Sequence, residues 1–103
     1  DGRYEVRLYF AELDDEVAAG ERVFDVFIDG VPVLTDFDIV ATVGEPFKGH
    51  TAIFYVDSPM TMTFRLQRCP HSERSPLING IELIIADRVV ASAWQEQEAG
   101  KVK

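Results

Sequence analysis

Period-two alternation of apolar and polar residues is the feature that most constrains this chain. Tyr4, Val6, Leu8 and Phe10 alternate with Glu5, Arg7 and Tyr9. Successive side chains of an extended strand point to opposite faces, so the segment reads as a strand with one buried side. Met60, Met62, Phe64 and Leu66 alternate with Thr61, Thr63, Arg65 and Gln67 in the same way. Arg22 to Asp29 is rich in β-branched and aromatic residues, and Gly30 and then Val31-Pro32-Val33-Leu34 follow it. An Asp-Gly pair between two apolar runs predicts a hairpin, because the tight turn needs positive φ at both central residues. Pro32 makes the second arm an edge strand or a bulge. Phe37–Val43, Thr51–Val56 and Leu77–Ile85 read as further strands. Gly80, inside the last of these, predicts a bulge or a close approach. Six or seven short strands, with no helix-period segment before residue 86, predict an all-β, two-layer sandwich.

The C-terminal stretch differs. Arg88 to Glu98 predicts a short helix, with Val89, Val90, Ala93 and Trp94 roughly on one face. A length of 103 residues suits one domain. The expected division is a sandwich over residues 1–86 and a polar tail or linker over 87–103. Trp94 then needs a surface to dock on, in its own domain or a neighbouring one.

Charge narrows the partners. Lys and Arg total 10 and Asp and Glu total 18, for a net charge of −8. A nucleic-acid binder needs a basic stripe, and an anionic membrane attracts basic segments, so neither is an expected partner. The excess acid lies between Glu12 and Glu45. No apolar run approaches the roughly 18–20 residues of a membrane span. The chain opens Asp1-Gly2-Arg3, so any signal segment is expected to lie upstream or to have been removed. One cysteine, Cys69, leaves no internal disulfide framework and no cysteine-based zinc cluster.

Residues for catalysis are sparse. The chain has no G-x-S-x-G motif and no phosphate-cradling glycine loop. Cys69 has His71 two positions on but no third orienting group, and reads as a half-buried thiol at a strand end. The domain is therefore not expected to be an enzyme. Glu12, Asp14, Asp15 and Glu16 offer closely spaced oxygens, and calcium takes roughly six to eight. They lack the spaced pattern of a calcium loop, so no cofactor is expected, with calcium at this cluster the alternative. Glu12, Asp25 and Asn79 interrupt apolar strands and read as ties between loops and sheet, since buried polar groups need partners. Tyr9, Phe47, Tyr55 and Trp94 are the aromatics open to exposure. A flat ring stacks on the apolar face of a pyranose while polar neighbours take its hydroxyls.

Four ordered segments carry a family resemblance: YEVRLYFAEL (Tyr4–Leu13), RVFDVFIDGVPVL (Arg22–Leu34), FDIV (Phe37–Val40) and PLINGIEL (Pro76–Leu83). Together they resemble the malectin and malectin-like carbohydrate-binding family. The resemblance implies an antiparallel, jelly-roll-like β-sandwich of the galactose-binding kind. It implies non-catalytic glycan binding through loops at one end, a secreted or periplasmic location, and an accessory role in a glycoside hydrolase of the β-galactosidase-like kind. The chain starts at the strand before Phe10-Ala11-Glu12, so the family's earlier N-terminal strands are expected to be missing. Where the family has an aromatic pair after that strand, this chain has Asp14 and Asp15, and Glu73 is the nearest counterpart of the family's acid before the last strand.

The candidate site is the rim of Asp14, Asp15, Glu16, His71, Glu73 and Arg74, with Tyr9 or Trp94 stacking on the sugar. Without the aromatic pair, affinity is expected to be no better than roughly millimolar. The alternative is a structural or interaction module. It would contact neighbouring domains, or pair with a second copy through an exposed strand edge.

Overall fold

In the computed structural model, which describes residues 3–57, 61–85 and 88–95, the alternations become strands. They are β1 (Arg3–Ala11), β2 (Val23–Ile28), β3 (Val31–Asp38), β4 (Gly49–Asp57), β5 (Phe64–Arg68), β6 (Gly80–Ile85) and β7 (Arg88–Trp94), with one helical turn, α1 (Ile39–Val43). The strands form two antiparallel sheets, β4-β1-β6-β7 and β3-β2-β5. The all-β sandwich expected from the alternation is the observed architecture.

Alternation decides which face is buried. Val6 and Leu8 are fully buried and Phe10 nearly so, while Glu5, Arg7 and Tyr9 point to the other side. Phe24, Val26 and Ile28 of β2 face them from the second sheet. Phe10, Phe24 and Phe37 form a triangle of rings with centroids 6.1, 4.7 and 5.7 Å apart, which joins the two layers. Each such fully buried side chain contributes about 2 kcal/mol through the area it removes from water.

The Asp29-Gly30 hairpin forms as expected, with φ of 50° and 81° at the two turn residues. Gly30 takes the left-handed conformation without strain. Pro32 lies on β3, which is an edge strand with register shifts against β2. Val23 pairs with Asp38, Phe24 with Arg68, Ala11 with Gly49, and Tyr9 with Gly80. Connections 12–22, 39–48 and 69–79 therefore gather at one end of the sandwich, and the hairpin lies at the other.

Two expectations are corrected. Phe37–Val43 is not one strand: β3 ends at Asp38, whose side chain caps α1 by accepting from Ala41 N–H at 3.1 Å, and Gly44 closes the turn. Arg88–Glu98 is not helical over 88–94, where the chain pairs with β6 as β7 and all seven residues are exposed. The partner strand decides here, since hydrogen bonds to β6 satisfy a backbone that an isolated short helix would leave half unpaired. Residues 96–103 of the expected tail and Met60 of the second alternation lie outside the described residues.

Candidate functional site at the loop end

The loop end is held by two ion pairs. Glu12 follows β1 and is almost fully buried, and Arg22 grips it with both arms, Nε to Oε1 at 2.6 Å and Nη2 to Oε2 at 3.1 Å. Arg22 Nη1 also donates to the Ser75 carbonyl at 2.7 Å. One arginine thus ties loop 12–22 to loop 69–79. A buried carboxylate without such a partner would be strongly destabilising. Ser72, also buried, accepts from Val23 N–H at 3.0 Å, and the backbone N–H groups of Glu73 and Arg74 donate to the Glu21 carbonyl.

The second pair joins two of the candidates. Arg74 Nη1 lies 3.1 Å from Asp14 Oδ2, while Asp14 Oδ1 accepts from Glu16 N–H at 2.9 Å. The Glu16 amide, with Arg74 beside it, holds the Asp14 carboxyl below its ordinary range. Asp15, Glu16, His71 and Glu73 are exposed in the same two loops. Glu12 and Asp14 are thus each committed to an arginine, Arg22 and Arg74 respectively.

Tyr9 and Trp94 come together on the outer face of the four-stranded sheet, away from the core. Their ring centroids are 4.8 Å apart with planes at 31°. Tyr9 Oη donates to Glu82 Oε1 at 2.6 Å, and this bond, with partial burial, pushes the phenol above its ordinary range. The candidates therefore divide into a loop group and a sheet-face pair at the same end.

The three polar interruptions act as ties. Asn79 Oδ1 accepts from Ala11 N–H at 2.7 Å, Asp25 Oδ1 accepts from Asp36 N–H at 2.9 Å, and Glu12 holds Arg22. Cys69 is buried just past β5, with Sγ 3.2 Å from Asp36 Oδ1 and 3.6 Å from Asp25 Oδ1. Burial, and then the two carboxylates, push its thiol up to about 11, so it is a poor nucleophile at neutral pH.

Phe47 is the loop-end residue whose place the rim did not include. It is 64% exposed, sits at φ 64°, and its N–H donates to the Glu12 carbonyl at 2.8 Å. That bond sets its backbone against Glu12 and the following Leu13, itself half exposed. The sequence signal for it was only the presence of an aromatic in a Gly44-Glu45-Pro46 turn region. Glu82 and Gly80 were also outside the rim, and their part depends on pairing with β1 and β7.

Comparison with known proteins gives these findings. The family model described as the malectin domain matches residues 1–81. A nodulation receptor kinase of Pisum sativum is 30% identical over 84% of the chain and 9% of its own length. A probable LRR receptor-like serine/threonine-protein kinase of Arabidopsis thaliana is 29% identical over 97% of the chain and 11% of its own length. Receptor-like protein 4 of Arabidopsis thaliana is 38% identical over 78% of the chain and 13% of its own length. The chain thus spans about a tenth of the length of these curated relatives. No solved structure matches it significantly. The relatives are receptor kinases and a receptor-like protein, so the expectation of a glycoside hydrolase parent is not supported.

Proposed function

The chain belongs to the malectin domain family, and from that premise we propose that it is a non-catalytic carbohydrate-binding domain in the extracellular part of a longer, receptor-type chain. The observation that carries the reading is Phe47, held out at the loop end in a left-handed conformation that costs a non-glycine residue energy. It supplies an exposed ring beside polar loop groups. A sugar ring stacks on Phe47 while its hydroxyls donate to Asp15, Glu16 and Glu73 and accept from Arg74. Asp14 positions Arg74 and leaves its remaining donors free to turn outward. His71 lines the same rim.

Affinity is about millimolar, near −4 kcal/mol, because one ring and exposed polar groups give little desolvated contact. The test is a ¹H–¹⁵N NMR titration with neutral di- and tetrasaccharides. Saturable shifts in loops 12–22, 44–48 and 69–79 are expected, and Phe47→Ala should weaken them severalfold. Saturation without any loop shift, or a micromolar dissociation constant for a simple oligosaccharide, sinks this reading.

A second reading, the structural or interaction module, is favoured by β7, which lies at a sheet edge with every residue exposed. A neighbouring domain or a second copy would add a strand there. Sedimentation showing a dimer, with no sugar binding, selects it.

A further inference from the structure

We propose that the outer face of the sheet β4-β1-β6-β7 carries a second sugar platform, separate from the loop end, in which the indole of Trp94 stacks on a pyranose ring. The inference rests on the reading that the domain binds carbohydrate, and it adds a site on a different surface.

The register builds the platform. Tyr9 pairs with Gly80, and Gly80 pairs with Trp94, so the three stand in one row across β1, β6 and β7. Leu8 and Phe10 face the core, so this row faces away from it. At Gly80 a Cβ atom would collide with Cε3 and Cζ3 of Trp94. The six-membered ring of the indole therefore lies directly on the Gly80 backbone, and only glycine lets it lie flat there. Tyr9 abuts it at 4.8 Å and is itself pinned by Glu82. Trp94 still keeps 55% of its surface exposed. The ring is seated on Gly80 and flanked by Tyr9, and more than half of the residue's surface stays open to solvent.

The surroundings select a sugar over a dry protein contact. The adjoining row contains Arg7, Glu82 and Ser92, paired Arg7 with Glu82 and Glu82 with Ser92. A protein partner would have to desolvate these groups, which is costly. A pyranose brings both kinds of surface. Its face of C–H bonds covers the indole, and its hydroxyls donate to Glu82, accept from Arg7 and exchange hydrogen bonds with Ser92. Trp94 lies outside the residues 1–81 that match the family model. The platform is thus assembled by a residue of β7 on Tyr9 and Gly80, which both lie within the match.

Trp94 is the only tryptophan, so its emission reports this site alone. The chain is titrated with cellobiose, lactose and maltose, with mannitol as an open-chain polyol lacking a ring face. Saturable change in Trp94 emission with at least one disaccharide, and none with mannitol, is expected. Trp94→Ala should weaken the β1, β6 and β7 NMR shifts about three- to tenfold, and leave the loop shifts in place. Gly80→Ala keeps the indole but removes its seat. It should red-shift the emission and lose the sugar response, with thermal unfolding confirming the fold of both variants. If sugars shift the loops but not Trp94, the platform is refuted and the loop-end reading stands. If Trp94 responds while the loops do not, the platform stands and the loop-end reading falls. Equal response to mannitol, concentration-dependent emission from self-association alone, or no binding of any sugar overturns the platform.

Discussion

At Cys69 a closed surrounding and two carboxylates act on one thiol in the same direction. Both oppose the thiolate, the first by removing water and the second by adding negative charge beside it. The pKa rises to about 11, against an ordinary thiol value near 8.5. With the folded value above the unfolded one, the stability that the protonated thiol contributes is present below the ordinary thiol range. It is lost as pH rises toward and through 11. Two outcomes follow for measurement. Iodoacetamide should leave the folded chain almost unmodified at pH 8 while alkylating the urea-unfolded chain, and the urea midpoint should fall between about pH 9 and pH 11. Alkylation of the folded chain with an inflection near 8.5 would contradict the closed environment. Sequence placed the thiol at a strand end, but its carboxylate partners stand 44 and 33 residues away on β2 and β3. Such neighbours are set by strand pairing, and no local pattern announces them. The same holds for Glu82 under Tyr9, 73 residues apart.

Among the elements, the legible ones are those whose burial alternates. β1 and β2 were readable because each has a buried face with period two, and the β2–β3 turn because Asp29-Gly30 has one good conformation. α1 was not, for a physical reason. Ile39-Val40-Ala41-Thr42-Val43 is mostly β-branched, and one helical turn is too short to display a 3.6-residue period. β7 was missed because none of its residues is buried, so neither period is written in it. For α1 the decisive group is Asp38. Its Oδ1 caps Ala41 N–H, and its Oδ2 accepts from Gly20 N–H at 2.5 Å, tying loop 12–22 to the turn. Asp38→Ala should therefore lower stability by about 1–2 kcal/mol, at the upper end for a cap because a second bond is lost with it. Asp38→Asn should recover only the cap, because its single amide oxygen can serve Ala41 but its NH2 cannot accept from Gly20. Urea unfolding of the three chains decides the matter, and an unchanged midpoint in the alanine variant would show that the turn forms without its cap.

Across the whole molecule, charge and core separate. Loops 12–22, 39–48 and 69–79, with the cap Asp38, hold Glu12, Asp14, Asp15, Glu16, Glu21, Glu45 and Glu73 against Arg22, Lys48 and Arg74. Much of the net −8 is thus at the loop end, whose shape depends on ion pairs, while the buried hydrophobic cluster sits on β1 to β4 and α1. β7 adds no buried residue to that cluster. It adds a ladder to β6, Trp94 itself and an exposed edge. A chain ending at residue 87 should therefore still fold cooperatively. Its urea m-value should be nearly unchanged, because little surface buried by folding is removed, and its stability should fall by roughly 1–3 kcal/mol. It should keep the loop shifts on adding disaccharide and lose those of β6 that depend on Trp94. A broad, non-cooperative transition would place β7 inside the folding unit, and the expected boundary near residue 86 would then be wrong. Cooperative folding with loop shifts intact would mean that the sandwich and its loop end are specified before the last strand is added, and that β7 brings a surface to a fold already complete.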